Sequence, residues 1–485
     1  MAGTVTTVKT GGGAGSGAIE VRSIDYVPEH ERHGRVSAQG PFWFLGNFQP
    51  FTVAIGLLGP VFGLTLGWTS LAAILGIVFG TVFMAAHASQ GPKLGLAQMV
   101  QSRAQFGYQG VILPLAATLF TFVGFNVVDT VIIKSGLKGI FGWNPTVVAV
   151  GIGVVATVLA IYGHDWLHRV FRVLFWLSLP FWLVLTVAVI TGHAGTSPTS
   201  TPLGFTWAGF LAMFTTAASY NITYAPYVSD YSRYLPRDAS TSSIILSVFV
   251  GAAGSPIWLI PFGAWLAIKL GATDALTGIH RAGNTAFGGL GSLLTVLSVL
   301  ALVATMGLNA YSGMLTVVTG VDAARPVPFT RRLRVVTICA LALVWLVLSL
   351  LLSNETSALN NSLLIMLYLL APWTAVNLVD FFFVRHGHYA IADLFTARGI
   401  YRAWAWRGVV AYLAGILVEV PFMLIPGVYR SPGAHALQSV DISWILGMAV
   451  AALLYFLCCR RLDLAGEQPA IDRSERLLAE TGTAR

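Results

Sequence analysis

Long apolar stretches separated by short polar ones dominate the chain, and the apolar stretches are close to the twenty residues that a helix needs to cross a bilayer. They fall at 42–66, 69–88, 109–136, 145–162, 168–192, 205–229, 241–269, 288–321, 333–352, 358–384, 406–426 and 441–458. The pattern predicts twelve transmembrane helices in one domain, 41–460. A Gly-rich arm over 1–40 precedes it and a polar, loose tail over 461–485 follows it. Met1 to Gly17 lacks the apolar core and cleavage pattern of a signal peptide and reads as a flexible arm.

Two of these stretches are broken. The sixth contains Ser219 to Pro236, SYNITYAPYVSDYSRYLP, where small, aromatic, amide and proline residues interrupt the apolar run. The first contains Pro50, Gly56, Gly59 and Pro60. Unpaired backbone at membrane depth costs several kcal/mol per group, so it persists where it lines a protein cavity. The breaks lie five segments apart, which suggests a five-plus-five inverted repeat, 42–192 and 205–384, with two added helices over 406–458. A finer match has the same spacing: Gly124-Phe125-Asn126 in segment three and Gly307-Leu308-Asn309 in segment eight.

Composition agrees, with 56% hydrophobic residues, 10% charged and a mean hydropathy of +0.75 over 485 residues. The net charge of +8 does not imply nucleic acid, because Lys and Arg are scattered between apolar segments instead of forming a patch. Of the 28 Lys and Arg, all but Lys134, Lys138, Lys269, Arg281 and Arg430 fall on the side of the two termini. The positive-inside rule then places both termini in the cytoplasm of a multi-pass plasma-membrane protein. Cys339, Cys458 and Cys459 have no redox or metal spacing. His164 and His168, four residues apart, lack a third ligand, so no metal or other cofactor is expected.

Asn126 and Asn309 each place an amide, donor and acceptor on one plane, inside the membrane, and that suits the alternating N–H and C=O edge of a planar heterocycle. Phe122 is one turn before Asn126 and shares its face, and Tyr220 falls in the part of segment six expected to unwind. The bland reading makes both amides interhelical glue and both rings packing. Asp129 lies about 60° around the helix from Asn126. As an ionisable group in a membrane segment it is the candidate proton carrier, against a structural hydrogen bond near the interface. Glu419 lies outside the core bundle and reads as structural. Asp230 and Arg233, at the end of segment six, offer a latch for an inner gate, against a solvated interfacial turn.

Several motifs together resemble the nucleobase:cation symporter family, which includes fungal purine-cytosine permeases and bacterial cytosine, allantoin and hydantoin transporters. They are PEHERHG at Pro28 to Gly34, SQGPKLG at Ser89 to Gly95, QSRAQFG at Gln101 to Gly107 and SDYSRYLP at Ser229 to Pro236. LNAYS at Leu308 to Ser312 and APWTAVNLVDFFFVR at Ala371 to Arg385 complete the set. The resemblance covers about residues 20 to 430. It implies the LeuT-type fold, with a midplane substrate enclosed by broken helices 1 and 6 and helices 3 and 8. It also implies that Phe122 and Tyr220 sandwich the substrate, Ser219 offers backbone contact, Asn126 and Asn309 supply the amides, and Gln49 and Ala54 lie near the first break.

The chain departs from the family at Phe122, where relatives often carry Trp, and at Thr305 to Asn309, where the fungal amide run is reduced to its last member. Sodium-coupled relatives have Ser and Thr where this chain has Val303 and Ala304, which favours H+ over Na+ as the coupling ion. The expectation is therefore a proton-coupled symporter importing a nucleobase or a related planar nitrogenous ring, and not an enzyme. The same-fold alternatives are a sodium-coupled hydantoin or allantoin carrier and an amino-acid carrier. A membrane-embedded enzyme and an uncoupled channel or sensor are the rivals from other classes. The sequence leaves the oligomeric state unassigned.

Overall fold

The computed structural model describes residues 23–197, 203–325, 327, 330–352 and 355–484, so the Gly-rich start lies outside the described residues. All twelve apolar stretches are helical. The first is split into α1 (Val36–Asn47) and α2 (Pro50–Gly56), and α3 (Leu66–Ala88), α4 (Ile112–Phe141), α5 (Pro145–Tyr162) and α6 (His164–Ile190) complete the first half. The second half opens with another split helix, α7 (Trp207–Ile222) and α8 (Ala225–Ser232). It continues through α9 (Thr241–Leu270), α10 (Leu290–Ala324), α11 (Arg331–Leu351) and α12 (Glu355–Val379). Helices α13 (Trp406–Glu419) and α14 (Ser443–Cys459) pack together outside these ten segments.

Eight of the helices among the described residues are each long and apolar enough to span a bilayer, and the first segment qualifies as a pair bent by 59°. The bend has a local cause. Gln49 is in extended conformation and its side chain accepts the Phe51 N–H, while Pro50, which has no N–H to lose, starts the second half. The sixth segment repeats the device, with Pro226 in the first turn of α8. Close backbone approach holds the first break against α9: a Cβ on Gly56 would lie 2.1 Å from Ile260 O, and one on Gly263 2.0 Å from Val53 O.

Three expectations are corrected, and one element is new. The first helix begins at Val36, inside the expected arm, because Ser247 Oγ and the backbone of Gly251 pack along α1. The eleventh segment stops near residue 422, and Leu424–Ile425 then pairs antiparallel with Tyr429–Arg430. A short helix, Ala275–Ala286, was not anticipated between segments seven and eight. The polar tail is also ordered: it forms α15 (Leu464–Thr481), whose Glu467 accepts from Arg385 Nε at 3.0 Å and whose Glu475 accepts from Arg237 at 2.9 Å. Arg237 also pairs with Glu29, so the N-terminal segment, the α8–α9 connection and α15 meet at one end of the bundle, termed here the termini end.

Candidate functional site

The two breaks meet in the interior and are tied together by side chains. Asn47, the last residue of α1, donates from Nδ2 to Asn221 Oδ1 at 2.8 Å and to Ala252 O at 2.8 Å. Asn221 donates onward to Thr81 Oγ1 at 2.6 Å. Gln49 Nε2 donates to the Tyr220 hydroxyl at 2.9 Å, and Thr52 Oγ1 lies 2.9 Å from the same oxygen. The Thr52 hydroxyl donates to Asn47 O, so Tyr220 donates to Thr52 and accepts from Gln49. Every group in this junction is buried, and its pairing offsets the backbone bonds lost where the helices break.

Beside the breaks, α4 and α10 present the two amides expected from the sequence, and the amides meet directly. Asn126 Nδ2 donates to Met306 O at 3.2 Å, which turns its Oδ1 toward α10, where it accepts from Asn309 Nδ2 at 2.8 Å. Asn309 Nδ2 also lies 3.4 Å from Asp129 Oδ2, so Asp129 joins the same cluster. Among the described residues, this geometry leaves Asn309 Oδ1 buried with no hydrogen-bond partner. The Tyr227 hydroxyl is in the same condition. An unpaired buried polar group costs about 1–3 kcal/mol.

Aromatic rings wall the cluster. Tyr220, Tyr224 and Tyr227 form a consecutive set across the second break, with centroid separations of 5.4 Å and 4.9 Å. Phe122 meets Tyr227 edge-on at 4.4 Å, Phe125 stacks on Tyr224 at 5.3 Å, and Phe51 stacks on Tyr220 at 5.4 Å with the planes 10° apart.

The predicted site residues thus divide. Asn126, Asn309 and Asp129 form one hydrogen-bonded cluster, and Phe122 and Tyr220 contribute rings to its wall. Phe122 meets Tyr227, however, and the ring stacked on Tyr220 is Phe51. Tyr220 lies in the last turn of α7 and not in an unwound stretch, because the break comes after Ile222. Ser219 donates to Thr216 O, and its own carbonyl accepts the Thr223 N–H, so its backbone serves the helix end. Ala54 is buried within α2, and its carbonyl accepts the Leu57 N–H. Gln49 reaches the site through the Tyr220 hydroxyl.

Asp230 is buried, not solvated, and accepts the Gln98 N–H at 2.9 Å. Around it Tyr231 donates to Leu308 O, and Arg233 donates to Ser23 O and the Tyr311 hydroxyl, closing the termini end of the bundle. Glu419 is buried outside the ten-segment core, and among the described residues neither carboxyl oxygen has a partner. Val303 and Ala304 are buried in α10. His168 stacks on Phe42 at 4.1 Å, and among the described residues no three His, Cys, Asp or Glu gather as a metal-binding group.

Sequence reasoning missed Asn47, Phe51, Thr52, Asn221 and Tyr227. The signal for Tyr227 was present in the 220, 224, 227 spacing, which keeps three rings on one helical face. Asn47 and Asn221 were visible as amides beside the two breaks.

Comparison with known proteins places this geometry. Residues 26–447 match the family model described as permease for cytosine/purines, uracil, thiamine, allantoin. A putative purine-cytosine permease of Bacillus subtilis, YxlA, is 34% identical over 443 residues, covering 90% of this chain and 95% of the relative. The purine-cytosine permease fcyB of Emericella nidulans is 25% identical over 471 residues, covering 92% of this chain and 89% of the relative. Among solved structures, Mhp1, a nucleobase-cation-symport-1 family transporter solved closed with bromovinylhydantoin bound, superposes with a TM-score of 0.74. It is 18% identical, and the match covers 94% of this chain and 98% of Mhp1. The fold is that of Mhp1, the LeuT-type arrangement that the family resemblance implies. The protein is an integral, multi-pass membrane transporter of the nucleobase type and not an enzyme. The chain belongs to the family of permeases for cytosine/purines, uracil, thiamine and allantoin.

Proposed function

We propose that this protein imports a nucleobase or a closely related planar nitrogenous ring by proton-coupled alternating access, with both termini in the cytoplasm. One observation carries the choice of ligand: Asn309 Oδ1 and the Tyr227 hydroxyl are both buried, unpaired and close to a hydrogen-bonded amide pair walled by rings. A nucleobase supplies what these groups need, an N–H for the Asn309 oxygen and a carbonyl oxygen or ring nitrogen for the tyrosine hydroxyl. Phe122 and Tyr227 stand edge-on to each other, so the flat face of the base stacks on one of them and meets the other edge-on, and one base–ring stack is worth about 1–3 kcal/mol.

In the cycle, substrate enters between the halves of the broken helices and completes the Asn126–Asn309 cluster. Asp129 shares that cluster through Asn309 Nδ2, so its protonation state is felt by the amide that reads the substrate. The termini end then opens by parting Tyr231 from Leu308 O and Arg233 from Ser23 O. The putting of H+ before Na+ rests on Val303 and Ala304, which offer no side-chain oxygen. The distribution of Lys and Arg supports the orientation. Replacing Asn126 with Ala tests the substrate role: uptake of labelled nucleobase should vanish while the amount of protein in the membrane stays the same. Full uptake by Asn126→Ala would remove the residue from the site.

A further inference from the structure

A cavity of about 360 Å3 opens at the termini end, where α13 begins and α14 ends. Arg402 and Arg407, from the approach to α13 and its first turn, and Arg461, just past the end of α14, line it together with Trp404 and Trp406. Among the described residues, the guanidinium groups of Arg402 and Arg461 have no hydrogen-bond or ion-pair partner, and both residues are exposed. Arg407 donates only from Nε, to Cys458 O at 3.0 Å, and its guanidinium lies 5.4 Å from the Trp406 ring centroid. Arg402 holds φ at 60°, in the left-handed region that non-glycine residues seldom adopt. Its backbone is fixed there by the Tyr108 N–H on its carbonyl and by its own N–H on Gly399 O.

The acids in the lining do not balance these charges. Asp463 caps the start of α15 through the Gly466 N–H, and Glu467 takes both Nε and an NH2 group of Arg385 at 3.0 Å. Arg385 is also held by Asp380 at 2.6 Å. The cavity therefore keeps a surplus of positive charge and of N–H donors, the chemistry that a phosphate completes.

Apolar surface next to the cavity decides what carries that phosphate. Trp404 and Trp406 are about half exposed, as rings at the membrane–water boundary are. Beyond them Val410 and Leu413 on α13 and Leu453, Phe456 and Leu457 on α14 are exposed and continue along the two helices. We propose that this cavity binds the headgroup of an anionic phospholipid, with the acyl chains lying along α13 and α14. Because Arg385 and Glu467 share the lining, the bound headgroup braces the docking of α15.

The test uses purified full-length protein with an equimolar mixture of dioleoyl phosphatidylglycerol and dioleoyl phosphatidylcholine, the retained lipid being read by native mass spectrometry. Phosphatidylglycerol should be retained in preference. Arg402→Gln and Arg461→Gln should each lower that retention about fivefold, the worth of one basic residue at an anionic surface. Arg430→Gln, at the opposite end of the bundle, should leave it unchanged. Equal retention of the two lipids, or wild-type retention by both cavity variants, would overturn the proposal. Displacement of the lipid by millimolar inorganic phosphate would also overturn it, by assigning the cavity to a soluble anion. Both arginines are exposed, so without added lipid the variants should keep the wild-type melting temperature, which separates lost binding from lost folding.

Discussion

At the scale of single residues, the site is a set of donors and acceptors that does not close on itself. Asn126 is satisfied by Met306 O and Asn309, but Asn309 Oδ1 and the Tyr227 hydroxyl are left over. Tyr227→Phe separates a ligand contact from a packing role. If the hydroxyl meets substrate, KM should rise about fivefold, one net hydrogen bond being worth about 1 kcal/mol, while thermal stability holds or rises because a buried orphan has gone. An unchanged KM would confine Tyr227 to the wall. The amides were legible in the sequence because an Asn in the middle of an apolar segment has few reasons to be there. The ring pairing was less so: spacing along one helix places Phe122 beside Asn126, but the ring it meets on another helix depends on where that helix breaks. The break after Ile222 leaves Tyr220 in α7 and brings Tyr227, across the gap, to Phe122.

At the scale of elements, prolines and amides do different work in the broken helices. Pro50 and Pro226 start the second halves without forfeiting a hydrogen bond, and Asn47, Gln49 and Asn221 replace the bonds that the breaks remove. Asn47→Ala would strip Asn221 Oδ1 of its donor and loosen one half-helix from the other. A loss of about 1–3 kcal/mol in stability is expected, read as a lower thermal midpoint with reduced uptake. Stability equal to wild type would show that the junction is held by packing alone. The breaks were legible because proline, glycine and amide residues stand out against lipid-facing sequence. Helix α15 was not legible: its sequence is polar, and its order comes from Arg385 and Arg237, which lie far away along the chain. The short hairpin at Leu424–Ile425 and Tyr429–Arg430 was hidden for the opposite reason, since the apolar run before it continues past the end of the helix.

At the scale of the whole molecule, the proposed cycle requires the central cluster to be coupled to the closure at the termini end. The helices provide the path: α10 carries Asn309 at the site and, one residue earlier, the Leu308 carbonyl that holds Tyr231. Asp129 is the ionisable member of that cluster, so Asp129→Asn should keep substrate binding and exchange across the membrane while abolishing accumulation against a gradient. Uptake by the wild-type protein should follow an imposed pH gradient and persist without sodium. Strict sodium dependence, or concentrative uptake by Asp129→Asn, would reject the proton assignment.

A thermal-shift screen of purified protein against nucleobases and hydantoins shows whether the Asn126–Asn309 pair reads the edge of a planar nitrogenous ring. The wild type and Asn126→Ala are to be compared side by side. At 100 times its dissociation constant, a true ligand stabilises the protein that binds it by about 2.7 kcal/mol. A shift of that size is expected for at least one ring compound with the wild type and none with Asn126→Ala. A flat response across the panel, or an undiminished shift in the variant, would contradict it.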